Sequence, residues 1–192
     1  MKLGIFGGTF NPIHYGHLIN AEIIRSDFNL DKIIFVPSKI PVHKGLAGNV
    51  SAEERYSMTL LAVRGVKEFE VSKIEIDRKG PSYTFITINE MKLIYPKDSL
   101  YLIIGMDSLH EIGNWKEPEQ FRSVSVIAMR RPVEGSTTQL DPGAYNVLYA
   151  DNPLIDISST RVRERLRHNK SVRFMLPDPV IEYIYNKGLY QY

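Results

Sequence analysis

Short runs of apolar residues alternate along this chain with longer stretches in which apolar positions recur every three or four residues. The short runs predict strands at Lys2–Gly7, Lys32–Val36, Leu100–Ile104 and Val124–Met129, with weaker candidates near Phe69–Ile76 and Asn146–Tyr149. Several are apolar nearly throughout, the pattern of parallel strands covered on both faces. The longer stretches predict helices. The first runs from near Gly16 to about Phe28. The second opens at Ser51-Ala52-Glu53-Glu54, which matches a capping box, and is expected to carry Tyr56, Leu60 and Val63 inward. A third runs from about Thr84 to Ile94 and ends before Pro96, a fourth opens at Ser158-Ser159-Thr160, and a last follows Pro177. Strand–helix alternation implies right-handed crossovers and an α/β fold: a doubly wound, mainly parallel sheet with helices on both faces. The most loop-like stretch, Pro132–Gly143, is too short to separate two domains, so residues 1–192 are expected to form one. In such a sheet the ligand crevice lies beyond the carboxyl ends of the strands. Chemistry is therefore sought after Gly7, Pro37, Gly105 and Arg131.

Composition narrows the classes. The 192 residues are 43% hydrophobic and 24% charged, an ordinary soluble balance. With no cysteine, disulfides, thiolate metal sites and thiol nucleophiles are excluded. The opening MKLGIFGGTF lacks the apolar core of a secretory signal, and no apolar stretch approaches the ~18 residues of a membrane span, so a cytoplasmic protein is expected. Lys and Arg total 24 against 22 Asp and Glu, a net charge of +2, too weak to argue for nucleic acid. The distribution is less even: Arg161 to Arg173 holds five Arg and Lys170 against Glu164 alone. Such a run is either a solvated helix face or a phosphate site.

The segment after the first strand changes the picture most. It reads Gly7-Gly8-Thr9-Phe10-Asn11-Pro12-Ile13-His14-Tyr15-Gly16-His17. Two glycines allow close approach of a ligand, and Pro12 disfavours helix at Asn11, so the helix begins only beyond the loop. His14 and His17, three apart at that helix entrance, can face one way. A helix N-terminus offers unpaired N–H groups and partial positive charge to a phosphate, and two imidazoles add donors able to follow developing charge. A single histidine here would ordinarily cap or pack, and a histidine pair can ligate metal. No third ligand of a suitable kind is evident nearby, and the pair lacks the glutamate of H-E-x-x-H. Neither G-x-x-x-x-G-K-[ST] nor G-x-G-x-x-G is present.

These residues resemble the GGTFxPxHxGH signature of the HxGH nucleotidyltransferase superfamily, and most closely bacterial nicotinate-mononucleotide adenylyltransferases. A second family signature, ISSTxxR, appears as Ile157-Ser158-Ser159-Thr160-Arg161-Val162-Arg163. The resemblance continues through Pro41-Val42-His43-Lys44, Gly80-Pro81-Ser82-Tyr83-Thr84, Gly105-Met106-Asp107 with Trp115, and the ending Leu176-Pro177 to Gly188-Leu189-Tyr190, covering essentially the whole chain. It implies a Rossmann-like fold and adenylyl transfer from ATP to nicotinate mononucleotide, with Mg²⁺ carried mainly on the ATP phosphates. By the same resemblance His14, His17, Lys44 and Arg163 are the catalytic group. ATP is received by Gly7, Gly8, Thr9, Phe10, His14, His17, Gly105, Asp107, Ile157, Ser158, Ser159, Thr160 and Arg163. The acceptor is received by Lys44, Tyr83, Thr84, Asp107 and Trp115. No metal ligands and neither a nucleic-acid nor a membrane partner are implied, and the sequence is compatible with a homo-oligomer. Trp115 could equally be core, and Asp107 could equally cap a loop. Two positions depart from the family: Asn11 stands where Asp is frequent, and Ile86 where the SYTxDT pattern has an acid. Pantetheine-phosphate adenylyltransferases and glycerol-phosphate cytidylyltransferases lack the GPSYT and GxD…W segments. Nicotinamide mononucleotide is the nearer rival acceptor, and a non-catalytic nucleotide sensor the rival from another class.

Overall fold

The computed structural model describes residues 1–41, 48–130 and 145–191. Lys44 and the loop expected at Pro132–Gly143 lie outside them. Six strands form one sheet: β1 (Lys2–Gly8), β2 (Lys32–Pro37), β3 (Phe69–Val71), β4 (Ser99–Gly105), β5 (Ser125–Met129) and β6 (Asn146–Tyr149). Their order is β3-β2-β1-β4-β5-β6 and every pairing is parallel. The chain winds outward in one direction from β1 to β3, then returns to lay β4 on the other side of β1. The strand order reverses between β1 and β4, where an open α/β sheet holds its ligand.

The helices are α1 (Tyr15–Asp27), α2 (Ala52–Val63), α3 (Ile74–Asp77), α4 (Thr84–Ile94), α5 (Met106–Glu111), α6 (Ser159–Arg167) and α7 (Asp178–Lys187). Alternate strand residues feed two cores. Phe6, Ile33, Phe35 and Ile103 pack on one face with Ile24, Met58, Val162 and Ile184 of α1, α2, α6 and α7. Leu3, Ile5, Ile34, Leu102 and Ile104 pack on the other with Ile88, Met91 and Leu109 of α4 and α5. This two-sided burial makes the strands apolar throughout, as their sequences predict. Among the described residues, no helix is long and apolar enough to cross a membrane.

Three expectations need correction. The weak strand near Phe69–Ile76 ends at Val71, and residues from Ile74 to Asp77 turn into α3. Ser72 causes the turn, its hydroxyl accepting the Ile74 N–H at 3.3 Å. The inner face of α2 is also displaced: Arg55, Met58, Thr59 and Val63 are buried, Tyr56 is half-buried and Leu60 is exposed. The capping box at its start does form, Ser51 and Glu54 each bonding the other's backbone N–H. Finally, α5 follows β4 directly, where no helix was expected.

Candidate active site

A cavity of about 580 Å³ opens at the carboxyl ends of β1 and β4. Its floor is Gly7 and Gly8 from β1 and Ile104 and Gly105 from β4, and α1 and α6 point their N-termini at it. The Asn11–Pro12 peptide is cis. His14 is the residue before α1 and His17 lies in its first turn, so one helical turn brings the rings into stacked contact, centroids 3.7 Å apart and planes 29° apart. The His14 backbone N–H donates to Nδ1 of His17 at 3.2 Å, which assigns the hydrogen of a neutral His17 ring to Nε2. Phe6 and Phe10 meet the His17 ring edge-on, at 6.1 and 5.1 Å. A side chain at position 16 would need the His14 ring to give way by a few tenths of an ångström. A Cβ there would lie 3.0 Å from Nδ1 of His14 and 3.4 Å from the Ile157 carbonyl oxygen.

The second signature meets the first in space. Ser158 caps α6, its hydroxyl accepting the Arg161 N–H at 3.2 Å. Ser159 spends its hydroxyl hydrogen on the Pro12 carbonyl at 2.9 Å, so it braces the loop after β1. Arg163 donates from Nη1 to the Asn11 carbonyl at 2.7 Å and from Nη2 to the Thr160 hydroxyl at 3.1 Å. Burial lowers the Arg163 pKa from its ordinary value, though a guanidinium stays charged. The basic run is thereby resolved. Arg161 pairs with Asp156 at 2.8 Å and Arg165 donates to the Ser171 carbonyl at 2.6 Å, while Arg163 lines the cavity.

Asn11, the departure in the first signature, is buried and accepts the Tyr190 phenol at 2.6 Å on its side-chain oxygen. Burial raises the Tyr190 pKa far enough to keep that phenol a donor at any working pH. Of the residues expected to meet an acceptor, Thr84, the first residue of α4, and Trp115 line the cavity. Trp115 also packs edge-on against Phe121 at 5.4 Å, so it serves core and cavity together. Tyr83 caps α4 with its ring under the Lys116 ammonium at 4.7 Å, and Asp107 stands half-buried in the first turn of α5; neither is among the cavity-lining residues.

Sequence reasoning missed several residues of the wall. Ser38, Glu75, Ser82, Ser108 and Arg130 all line the cavity. Ser38 and Ser108 each stand next to a segment already singled out, so adjacency was the available signal. Glu75 carried none, because a strand was expected there. Among the described residues, no group of three or more His, Asp or Glu side chains is placed to hold a metal ion. The cavity presents imidazoles, hydroxyls, the guanidiniums of Arg130 and Arg163 and helix N-termini, an equipment suited to polyanions.

The cytidylyltransferase-like family model matches residues 5–165, which take in both signatures, the end of β1 and all of β2 to β6. A "probable nicotinate-nucleotide adenylyltransferase" of Moorella thermoacetica is 45% identical over 199 aligned positions, covering 99% of this chain and 92% of the relative. The chain belongs to the nicotinate-nucleotide adenylyltransferase family. A relative of the same description from Thermoanaerobacter sp. is 43% identical, covering 100% of this chain and 95% of its own. The fold is shared more widely. Plasmodium falciparum nicotinic acid mononucleotide adenylyltransferase, solved in complex with NaAD, superposes with a TM-score of 0.78 at 19% identity, over 98% of this chain and 97% of that one.

Within this family the second departure invites a test. Ile86 is the third residue of α4, a helix with no acid in its first turn. An acid there interacts with the helix dipole for about 0.3–1 kcal/mol, and the half-buried Ile86 recovers part of this by burial. Ile86→Asp is expected to shift stability by no more than about 1–2 kcal/mol and kcat/KM by no more than roughly threefold. A gain of tenfold or so in kcat/KM would instead mean that the missing acid shapes the acceptor pocket.

Proposed function

We propose that residues 1–192 form a single nucleotidyltransferase domain that transfers the adenylyl group of ATP to nicotinate mononucleotide, releasing pyrophosphate and forming nicotinate adenine dinucleotide. The observation that carries this reading is the convergence of the stacked His14–His17 pair and the Arg163-bearing N-terminus of α6 on one cavity at the switch point. The acceptor's phosphate monoester is already an anionic nucleophile near neutral pH. Its oxygen forms a bond to the α-phosphorus as the bond to the β-phosphate oxygen breaks, and no protein nucleophile is needed. The protein's part is positioning and stabilisation of the charge that builds on the phosphates.

In this reading His14 and His17 donate to oxygens at the reacting phosphorus. Ser158, Thr160, Arg163 and the first N–H groups of α6 hold the β- and γ-phosphates, while Gly7, Gly8, Thr9, Phe10, Gly105 and Ile157 bound the nucleotide. Lys44 neutralises the two phosphates as they meet. Thr84 at the start of α4 receives the nicotinate carboxylate, Trp115 stacks on the pyridine ring, and Asp107 serves ribose hydroxyls through its helix turn. Mg²⁺ would enter with the triphosphate, held by phosphate oxygens and water, which suits the described residues, among which no group of three or more His, Asp or Glu is placed to hold a metal ion.

The test is pyrophosphate release with ATP, Mg²⁺ and a panel of phosphorylated acceptors. Turnover with nicotinate mononucleotide is expected, and background rates with every mononucleotide would favour a nucleotide sensor. Preference for the acid over the amide is also expected, by about tenfold or more in kcat/KM. Backbone N–H groups at α4 only donate, so they offer no acceptor to an amide NH₂, and such mismatches discriminate strongly. Equal kcat/KM for the two mononucleotides would move the acceptor to the amide branch.

A further inference from the structure

One buried ionisable group on the cavity wall has no part in the reaction above. Glu75 of α3 is 6% exposed and lines the cavity alongside Ser82, Thr84 and Trp115. Its carboxylate accepts the Thr87 hydroxyl at 2.6 Å, and the Ser82 side chain beside it favours its charged form. Ser82 in turn accepts the backbone N–H of Lys39 at 2.9 Å and of Ile40 at 3.3 Å. A hydroxyl has one hydrogen and two lone pairs. Two backbone donors fill the lone pairs of Ser82, so its hydrogen is left to point at Glu75. Thr87 accepts Nη2 of Arg78 at 3.3 Å, which leaves its hydrogen for Glu75 as well. A carboxylate, with acceptor oxygens and no hydrogen of its own, satisfies both hydroxyls in this arrangement.

Resting on the proposed acceptor reading, we infer that Glu75 is a positioning residue for the acceptor: acting through Ser82 and Thr87, it fixes the N-terminus of α4 against the loop after β2. Further ties across the same gap run from the Ser82 N–H to the Ile40 carbonyl at 3.0 Å and from the Lys39 ammonium to the Arg78 carbonyl at 2.8 Å. The loop so held leads from β2 through Ser38 and Pro41 of the cavity wall toward Lys44.

This placement works against stability. Burial, the largest influence, raises the Glu75 pKa above its ordinary value, against the opposing effects of Thr87, Ser82 and Arg78; Glu90 adds to the rise, and the guanidinium of Arg55 is the other charge nearby. A carboxyl whose pKa is raised on folding stabilises the fold below its unfolded pKa, and that stability is lost as pH rises through the folded value. Once ionised, Glu75 therefore opposes folding. A residue retained as a structural brace alone would be expected to favour it.

The test uses Glu75→Gln and Ser82→Ala, singly and together, in the full chain. Hydrogen exchange at the Lys39 and Ile40 amides needs no substrate. Each single variant is expected to speed it about tenfold, and the double variant no further, because both act through one link. In turnover, KM for nicotinate mononucleotide is expected to rise about tenfold in Glu75→Gln while KM for ATP stays within about twofold. Glu75→Gln is expected to melt no lower than the wild type at pH 7.5, having lost a buried charge. Unchanged exchange at Lys39 and Ile40 in Glu75→Gln would overturn the inference. So would an equal rise in both KM values together with a lower melting temperature, the mark of a simple brace. Wild-type protein inactive on nicotinate mononucleotide would count against the proposed acceptor, and the exchange result would still decide whether Glu75 fixes the loop.

Discussion

Replacing His17 by alanine is expected to lower kcat by roughly 10²–10³, the loss of about 2.7–4 kcal/mol of transition-state stabilisation typical of one preorganised donor. Preorganisation is visible in what holds the ring. The His14 N–H bonds Nδ1, the His14 ring stacks on one side, and Phe6 and Phe10 meet it edge-on. A donor fixed in this way spends little on reorganising as charge builds. The same contacts mean that the substitution also affects the fold. His17 is half-buried, so a stability loss of about 1 kcal/mol is expected where an open site would show almost none. Steady-state kinetics at saturating ATP and acceptor, with thermal melting alongside, separates the two effects. A His17→Ala enzyme that melts normally and turns over within a fewfold of wild type would remove His17 from the reacting centre.

Arg55→Ala is expected to lower stability by about 3 kcal/mol, or roughly 6–12 °C in Tm for a chain of this size. Arg55 is fully buried in the inner face of α2, and its guanidinium reaches the Thr9 carbonyl from Nη1 at 2.6 Å and the Lys39 carbonyl from Nη2 at 3.3 Å. One side chain thus ties the loop after β1 to the loop after β2. Burial lowers its pKa, but it remains protonated, and losing it leaves two carbonyls without their donor and a large void. Arg55→Met refills most of the volume without restoring the bonds, so it is expected to recover about half of the loss. If Arg55→Ala melted within about 2 °C of wild type, the guanidinium would be dispensable and α2 would be held by its apolar contacts alone.

The sequence by itself determined the architecture and brought out the two signatures that meet at the cavity. Strands at Lys32–Pro37 and Asn146–Tyr149 and the helix at Thr84–Ile94 stand at or within a residue of their sequence-read positions, and the helix Ser159–Arg167 opens where its hydroxyl run was read. Apolar periodicity is a local property, and burial on both faces of a parallel sheet imprints it strongly. The two signatures were legible for a similar reason: their glycines, histidines and hydroxyls are needed where they stand along the chain. What only the tertiary structure decided is how groups distant in sequence share a hydrogen bond or a buried space. The reading of α2 turned Tyr56 and Leu60 inward, whereas two carbonyls from other loops draw the Arg55 guanidinium inward. Ser159 read as a phosphate donor, yet the Pro12 carbonyl takes its hydrogen. Glu75 sat in an expected strand and gained its place only when Ser82 and Thr87 arrived from another segment. In each case a polar group was buried because its partners lie elsewhere in the chain, and the cost of burying it is met by bonds that no local pattern records.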